Sequence, residues 1–331
     1  MMDQLVAQFA DQLREALQIG RSANIRPHAH PLHQAYVAGM GGSGIGASFV
    51  AEFIRAECPI PYQTGKGYGI PAHIDAHTLA ICSSYSGNTE ETLAALDLLL
   101  TTGAKVVCIA SGGKLLEIAK ARDLDYIELP AGSPSPRACL GYSLVAQLCL
   151  LEKLGLIASR RLQEVSQAAD LIDQEEEDIR NRAENIAQFL QDKIPVIYTT
   201  DRMEAVAVRF RQQLNENAKM LAWHHVIPEM NHNELVGWRQ DYSQLAVVYL
   251  RNKDDYPRNQ LRIDINKEII GNYTGSIIEL YSKGMSLIER ALYLVHLTDW
   301  VSVYLAELRG KDAVEIKVID YLKSELGKVK G

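Results

Sequence analysis

The chain has 331 residues, a formal net charge of −7, and hydrophobic and charged fractions of 47% and 23%. This length suits two domains, and the acidic balance argues against a general nucleic-acid-binding surface. No apolar run approaches the roughly 20 residues that span a bilayer, and the N-terminal stretch lacks the basic start and apolar block of a signal peptide. We therefore expect a cytoplasmic protein with neither a membrane nor a nucleic-acid partner.

The first predicted elements are a helix over residues 3–19 and a short buried strand, Ala35–Met40. The strand runs into the glycine turn, which we define as Gly39–Gly46, and a helix with one apolar face follows it. Glycine allows the backbone to approach a ligand closely. The turn is not a Walker loop, because no Lys–Ser/Thr pair follows its last glycine. It also lacks the acidic residue that a dinucleotide fingerprint carries about 20 positions further on.

A second turn follows the apolar run Leu79–Cys82. We define this hydroxyl turn as Ser83–Thr92, with the sequence SSYSGNTEET, and a helix is predicted after it. Such a turn directs backbone N–H groups and hydroxyls to the positive end of a helix dipole, which favours a phosphate. An ordinary N-cap and solvated loop would use the same residues, so the hydroxyl turn alone leaves that alternative open. Two such turns on successive parallel strands would meet at the carboxyl edge of the sheet, where ligands bind.

Strands and helices continue to alternate through the first half of the chain. The further predicted elements are a strand at Lys105–Ser111, a helix after Gly113, a strand at Tyr126–Pro130, a proline-rich loop at Ala131–Tyr142 and a helix at Leu140–Leu154. This alternation is typical of a doubly wound α/β domain. A charged helix, Glu164–Gln191, is predicted to link it to a second domain, which gives domains of residues 1–157 and 158–331.

The α/β alternation restarts in the second domain. The predicted elements are strands at Pro195–Thr200, Gln244–Leu250 and Ser276–Ser282 and helices at Glu204–Trp223, Arg258–Ile270, Ser286–Leu308 and Val314–Leu326. This domain shows no obvious counterpart of the hydroxyl turn. We therefore expect the first domain to hold a phosphate and the second to contribute other groups.

The densest polar stretch outside the turns covers residues 212–238. Its titratable residues are Glu216, Lys219, His224, His225, Glu229, His232 and Glu234. Asparagines flank both Glu216 and His232, which indicates that hydrogen bonds orient these two groups for acid–base chemistry. A plain helix-surface pair between Glu216 and Lys219 is the alternative. The spacing does not match a zinc-binding HExxH motif.

Histidines and cysteines elsewhere do not predict a metal site or disulfides. His28, His30 and His33 lie among prolines, with a spacing that fits no common metal site. The five cysteines form no CxxC pair and mostly lie in apolar runs, as buried thiols of a reducing compartment do. We predict no bound metal.

Six stretches together resemble a known family. In chain order they are the glycine turn, the hydroxyl turn, SPRACLGY, LNENAK, PEMNHNELVGW and HLTDWVSVYLAELRGKDAVEIKVIDYLKSEL. They resemble the bifunctional phosphoglucose/phosphomannose isomerases, whose first two stretches are the phosphosugar-binding turns of SIS (sugar isomerase) domains. The resemblance covers nearly the whole chain. It implies two tandem SIS-type domains, each a doubly wound parallel sheet flanked by helices.

The resemblance also implies an activity and roles for single residues. The activity is the interconversion of glucose 6-phosphate, and of mannose 6-phosphate, with fructose 6-phosphate, without a metal or other cofactor. The positions that match the family's phosphate-binding residues are Gly42, Ser43, Ser84, Ser86 and Thr89.

Four further residues match the family's catalytic positions. Arg137 matches the arginine expected to stabilise an enediolate, and Glu216 matches the base that moves a proton between C1 and C2. His232 matches a histidine that assists ring opening and that the partner subunit supplies in the family, so the resemblance implies a homodimer. Lys323 matches a lysine near the sugar ring or the phosphate.

One segment departs from the family's pattern. A threonine shortly before the matched lysine is associated with mannose substrates, but Ala313–Lys317 contains none. Ala313 also replaces the proline that usually follows the Gly-x-Asp sequence. These differences concern the choice of epimer more than the isomerase chemistry.

Three other functions are compatible with parts of the pattern. A non-catalytic sugar-phosphate sensor would share the two turns but would not need Glu216 together with His232. An amino-sugar isomerase or deaminase predicts ammonia release or glutamine dependence. A dehydrogenase predicts nicotinamide binding.

Overall fold

The strands form two separate parallel sheets in the computed structural model, which describes residues 1–328. The strands are β1 (Gln34–Ala38), β2 (Tyr62–Gly65), β3 (Thr78–Ser83), β4 (Lys105–Ala110), β5 (Asp125–Glu128), β6 (Ile194–Thr200), β7 (Trp223–Ile227), β8 (Leu245–Arg251) and β9 (Ile277–Tyr281). The helices are α1 (Met2–Ala7), α2 (Phe9–Ser22), α3 (Gly41–Ile54), α4 (Glu90–Leu99), α5 (Gly113–Ala121), α6 (Leu140–Lys153), α7 (Arg160–Leu190), α8 (Glu204–Glu216), α9 (Pro257–Ile270), α10 (Leu287–Leu308) and α11 (Lys317–Leu326).

The N-terminal unit consists of Leu5–Glu175 and Lys283–Tyr293. Its strands lie in the order β2-β1-β3-β4-β5, and each neighbouring pair is parallel. β3 and β4 are buried along their whole length, as expected of apolar strands in a parallel sheet with both faces covered. Leucines of α4 and α5 pack on alanine and cysteine side chains of these strands in one core cluster. α6 packs against α2 and α3.

The C-terminal unit consists of Met1–Gln4, Glu176–Ser282 and the residues from Leu294 onward. Its strands lie in the order β7-β6-β8-β9, again all parallel, and their core includes apolar residues of α9. The order repeats β2-β1-β3-β4 of the first sheet, with β6 in the place of β1. The unit boundaries fall inside α7 and α10. The division at residues 157 and 158 stays a prediction.

The predicted α/β class with two parallel sheets is confirmed. Two strands escaped the sequence analysis, because β2 is a four-residue strand of mostly polar residues and β7 begins with Trp223, His224 and His225. The helix predicted at Glu204–Trp223 is wrong beyond Glu216, where α8 ends. The apolar spacing continued past that point, but the backbone turns into the left-handed region at Lys219, with a φ of 55°.

Two further features concern the apolar helices and the cysteines. Among residues 1–328, no helix combines the length and the apolar composition that a membrane crossing requires. All five cysteines are free thiols, and four of them are buried.

A buried ion pair joins Lys105, the first residue of β4, to Asp125, the first residue of β5. Asp125 accepts hydrogen bonds from Lys105 Nζ at 2.6 Å, Arg26 Nε at 2.6 Å and Arg26 N at 3.0 Å. Burial acts to raise the pKa of the Asp125 carboxyl, but the hydrogen bonds from Lys105 and Arg26 outweigh it, so the pKa is lowered overall. A carboxyl with a lowered pKa stabilises the folded state above its unfolded pKa of about 3.9, and this contribution is lost as the pH falls through the folded pKa.

We predict that Asp125→Asn lowers the free energy of unfolding by about 3 kcal/mol at pH 7, because the buried Lys105 loses its counter-ion. The difference from the wild type should shrink as the pH falls below about 3.9, because Asp125 of the unfolded chain is protonated there, and it should be lost once the pH passes the lowered pKa of the folded state. Urea unfolding at pH 7 and at pH 3 measures both values. The control is Asp97→Asn, an exposed carboxylate of the same unit, for which we expect a change within about 0.5 kcal/mol. A difference that stays constant with pH would contradict the assignment.

Candidate active site

The glycine turn and the hydroxyl turn lie next to each other at the carboxyl edge of the first sheet. β1 pairs with β3 in the register Ala38↔Cys82, so both strands end at the same level. A Cβ built on Gly39 would lie 3.0 Å from the carbonyl oxygen of Ser83, which is a tight contact. α3 begins inside the glycine turn at Gly41. Each turn leads into the N-terminus of a helix, where unpaired N–H groups favour an anion.

The hydroxyl turn does not behave as an ordinary helix cap. The side chain of Thr89, the N-cap residue of α4, makes no capping hydrogen bond. Its hydroxyl lies 2.8 Å from the Ser84 hydroxyl, which in turn accepts from the N–H of Gly87. Ser84 is buried and Ser86 is exposed, with the Ser86 hydroxyl accepting from Asn88 N. This clustering of hydroxyls favours the anion-binding interpretation over a simple cap.

Backbone hydrogen bonds connect the hydroxyl turn to the loop after β4 and to the start of α5. Leu115 N donates to the carbonyl of Gly87, and Ser111 N donates to that of Tyr85, both at 2.9 Å. Gly87 has a φ of +68°, and a Cβ there would lie 1.8 Å from the carbonyl oxygen of Gly112. Only glycine can satisfy both the conformation and the close approach.

Arg137 lies beside the glycine turn. It is part of the short 3-10 turn Pro136–Cys139 that leads into α6, and it is 7% exposed. A Cβ built on Gly42 would lie 3.5 Å from the carbonyl oxygen of Pro136 and 3.8 Å from Cα of Arg137. The structure therefore brings the glycine turn, the hydroxyl turn and the Arg137 loop together within the N-terminal unit.

Three polar residues of this region were not singled out from the sequence as candidate site residues. Lys66 follows β2, and its Cε would lie 3.6 Å from a Cβ on Gly44. The hydroxyls of Thr92, in the first turn of α4, and of Ser135, before Arg137, are buried and have no hydrogen-bond partner among the described residues. Lys66 could have been found from its position directly after a strand, had β2 been recognised.

Glu216 is the last residue of α8 in the C-terminal unit and is partly buried. Its flanking asparagines hold the backbone around it: Asn215 Nδ2 donates to the carbonyl of Met220 at 2.8 Å, and Asn217 Nδ2 donates to the Ser302 hydroxyl at 2.9 Å. These two hydrogen bonds fix the turn after α8.

His232 is exposed and lies in the 3-10 turn Glu229–His232, after β7. The asparagines beside it do not orient its ring, contrary to expectation. Asn231 Nδ2 donates to Asn266 Oδ1 at 2.8 Å, and Asn233 Nδ2 donates to Glu229 Oε1 at 2.9 Å. The expected hydrogen-bonded histidine is therefore corrected to an exposed one on an amide-braced turn.

Lys323 is an exposed residue of α11, a helix without a buried side chain. Four of the five apolar residues of α11 are also exposed, namely Val318, Tyr321, Leu322 and Leu326, and Ile319 is partly buried. The helix therefore presents both its charge and most of its apolar side chains to solvent in the single chain.

The carboxyl edge of the second sheet carries a carboxylate where the first sheet carries its turns. The loop after β8 occupies the place of the hydroxyl turn, because β8 corresponds to β3 in strand order. In it, Asp255 accepts from the Thr200 hydroxyl at 2.7 Å and from Asn252 N and Nδ2 at 3.3 Å. Burial raises the pKa of Asp255, and the hydrogen bonds from Thr200 and Asn252 oppose this. The Asp255 carboxylate thus occupies the hydrogen-bond donors that an anion bound at this edge would need.

Metal ligands do not gather among the described residues. In residues 1–328, no group of three or more histidine, cysteine or acidic side chains is arranged to hold a metal ion. The rings of His28 and His30 pack edge to face, while His33 stacks on His77 at 4.5 Å.

Comparison with known proteins covers both units. Residues 179–326 match the model of the bacterial phospho-glucose isomerase C-terminal SIS domain. The chain is 37% identical to a bifunctional phosphoglucose/phosphomannose isomerase of Caldicellulosiruptor bescii, over 99% of this chain and 100% of the relative. It is 32% identical to a D-glucosamine-6-phosphate 4-epimerase of Sulfolobus acidocaldarius, over 82% of this chain and 84% of the relative.

Solved structures show the same fold at low sequence identity. The C-terminal domain of glucosamine-fructose-6-phosphate aminotransferase from Francisella tularensis superposes with a TM-score of 0.75 at 14% identity, over 94% of this chain and 97% of that chain. The predicted tandem SIS architecture is confirmed by this similarity and by the two sheets.

We predict that Gly87→Ala disrupts the hydroxyl turn, because the added methyl group would overlap the carbonyl oxygen of Gly112. The expected result is a loss of at least about 10-fold in affinity for inorganic phosphate and about 2–5 kcal/mol in the free energy of unfolding. The matched control is Gly103→Ala, which also has a positive φ but has its nearest neighbour at 3.5 Å. It should cost about 1–2 kcal/mol and leave phosphate binding unchanged. Isothermal titration and urea unfolding provide the two readouts, and equal effects of both substitutions would contradict the role of the turn.

Proposed function

Because the chain belongs to the family of bifunctional phosphoglucose/phosphomannose isomerases, we propose that it interconverts glucose 6-phosphate and mannose 6-phosphate with fructose 6-phosphate. The family makes the chain an aldose–ketose isomerase, and the choice of these substrates is the proposal. The observation that carries it is the hydroxyl turn, where Ser84 and Thr89 pair with each other at the start of α4. Such a group of hydroxyls and N–H donors suits the phosphate of a hexose phosphate.

The phosphate holds the substrate in place during the reaction. We infer that Gly42, Ser43, Ser84, Ser86 and Thr89 bind it. Binding energy from this remote group positions the carbon atoms that react without taking part in the chemistry. The buried Asp255 at the corresponding edge of the second sheet supports a single phosphate site per chain, because a carboxylate repels a second phosphate.

The reaction moves one proton between neighbouring carbons. The Glu216 carboxylate removes the proton from C2 of the open-chain aldose and returns it to C1, while a proton passes from the C2 hydroxyl to the C1 oxygen. The intermediate is an enediolate, whose negative charge needs a preorganised cation. Arg137, which is 7% exposed, supplies that cation. Electrostatic stabilisation of this kind is usually the largest catalytic term.

Ring opening and epimer choice involve the remaining residues. We infer that His232 assists ring opening in a homodimer. Its exposure, and the 60% exposed Val236 nearby, support a histidine that serves the partner subunit. Lys323 contacts the sugar ring or the phosphate. Rotation about the C2–C3 bond of the enediol lets Glu216 protonate the other face of C2, which produces the mannose epimer.

The deciding experiment is a coupled assay of the purified protein with fructose 6-phosphate, mannose 6-phosphate and glucosamine 6-phosphate. We expect turnover of the first two, with no ammonia released from the third. Turnover of fructose 6-phosphate alone would remove mannose from the proposal, consistent with the absence of threonine in Ala313–Lys317. Sugar-phosphate binding without any turnover would replace the proposal by a sensor. Conversion of the amino sugar alone would replace it by amino-sugar chemistry.

We predict that Glu216→Gln keeps the fold and the affinity for inorganic phosphate but lowers kcat by at least about 10³-fold, because an amide cannot take the C2 proton. The exchange of solvent deuterium into the C1 and C2 positions, followed by NMR, should stop as well. Glu268→Gln, an exposed carboxylate of the same unit, serves as the control and should keep full activity. Near-full turnover by Glu216→Gln would show that another group is the base.

A further inference from the structure

The turn that follows α8 has an unusual lysine. We define the Glu216 turn as residues 216–219, in which Lys219 has a φ of 55°. Residues other than glycine rarely adopt this left-handed conformation, which costs about 1 kcal/mol or more unless other interactions enforce it. The hydrogen bonds of the Lys219 side chain are interactions of this kind.

The ammonium group of Lys219 joins two separate parts of the C-terminal unit. Its Nζ donates to the carbonyl oxygen of Glu216 at 2.5 Å and to that of Glu315 at 2.6 Å. Glu216 ends α8, so its carbonyl is one of those that have no partner within the helix. A cation at this end of a helix also interacts favourably with the helix dipole.

Glu315 belongs to the segment between α10 and α11, which we call the C-terminal segment and define as residues 311–316. Asp312 shapes this segment by accepting from Val314 N at 2.8 Å. The pKa of the Asp312 carboxyl is lowered, mainly by that hydrogen bond and with a contribution from the positive charge of Lys219. Lys219 thus contacts the segment through a carbonyl and acts on it through its charge.

Other side chains hold the rest of the Glu216 turn against α10. Asn217 donates to Ser302 within the core, and Arg309 Nε donates to the carbonyl of Ala218 at 3.3 Å. The buried pair of Arg209 and Asp299, with Nη2 and Oδ2 at 2.7 Å, joins α8 to α10. These contacts fix the core side of the turn, whereas Lys219 fixes its connection to the segment that leads into α11.

We propose that Lys219 is a positioning residue that holds Glu216 and the C-terminal segment in a fixed relation, so that the base keeps its reactive geometry. The inference rests on the proposed function, in which Glu216 is the base and α11 carries Lys323. It adds that one lysine couples the base to the segment where the family's mannose-associated threonine is missing. A small displacement of a catalytic group costs up to about 10²-fold in rate, which sets the size of the effect.

The test compares Lys219→Met, which removes the ammonium group, with Lys219→Arg, which keeps a cation, and with Lys253→Met as the control. Lys253 is an exposed lysine of the same unit. For Lys219→Met we expect kcat to fall about 10- to 100-fold with KM within about two-fold, because the phosphate-binding residues are untouched. Lys219→Arg should recover at least part of kcat, and Lys253→Met should match the wild type. A kcat of Lys219→Met within two-fold of the wild type, or no recovery by arginine, would overturn the proposal.

Hydrogen exchange tests the connection without relying on activity. Amides of residues 311–316 should exchange faster in Lys219→Met than in the wild type and in Lys253→Met. This readout separates the two ideas, because a wild type without isomerase activity would defeat the proposed function while the exchange still decides the role of Lys219. Equal exchange in all three proteins would overturn the proposal.

Amine labelling of the wild type covers the case in which Lys219→Met does not fold. Lys219, whose ammonium group donates to two carbonyls, should react with an acetylating reagent several-fold more slowly than Lys253. Equal labelling rates would overturn the proposal, and slow labelling of Lys219 supports it.

Discussion

The parallel pairing of β1 with β3 is the constraint on which the candidate phosphate site depends. The glycine turn and the hydroxyl turn are far apart in sequence, but both strands run in the same direction and end at the same level. Gly39 therefore comes close to Ser83, and each of the two turns leads into the start of a helix. A parallel sheet needs a crossover between these strands, and it is the crossover through α3 that turns two distant sequence motifs into one site.

The second sheet has the same strand order but a different edge. Where the first sheet has glycines and hydroxyls, the second has Asp255, buried with its own donors from Thr200 and Asn252. The same strand order can thus leave hydrogen-bond donors for a ligand in one unit, whereas in the other unit Asp255 accepts from the donors at the edge. The C-terminal unit carries the acidic residue Glu216 at the end of α8, and Glu216 is the base in the proposed function. Similar folds with different edges are how tandem domains come to divide their roles.

The turn after α8 shows how local strain can be maintained by distant groups. Lys219 remains in a left-handed conformation while its ammonium group donates to the carbonyl of Glu315, nearly a hundred residues away in sequence. Such conformations persist where the surrounding structure over-determines them, and they are common near functional sites. The asparagines on either side of Glu216 also hold this turn in place, because Asn215 donates to the carbonyl of Met220 and Asn217 donates to the Ser302 hydroxyl.

The sequence by itself determined the α/β alternation, most strands and helices, and the two turns that follow β1 and β3, because apolar periodicity and glycine or hydroxyl clusters are local signals. The resemblance added the roles proposed for Arg137, Glu216 and His232. Only the tertiary structure decided where α8 ends, that Trp223–Ile227 is a strand, and that the asparagines beside Glu216 and His232 brace the turns in which they lie. It also decided that Asp255 occupies the second edge and that Lys219 reaches Glu315. The physical reason is that these features depend on hydrogen bonds and strand pairings between residues far apart in the chain, which leave no periodic pattern in the sequence.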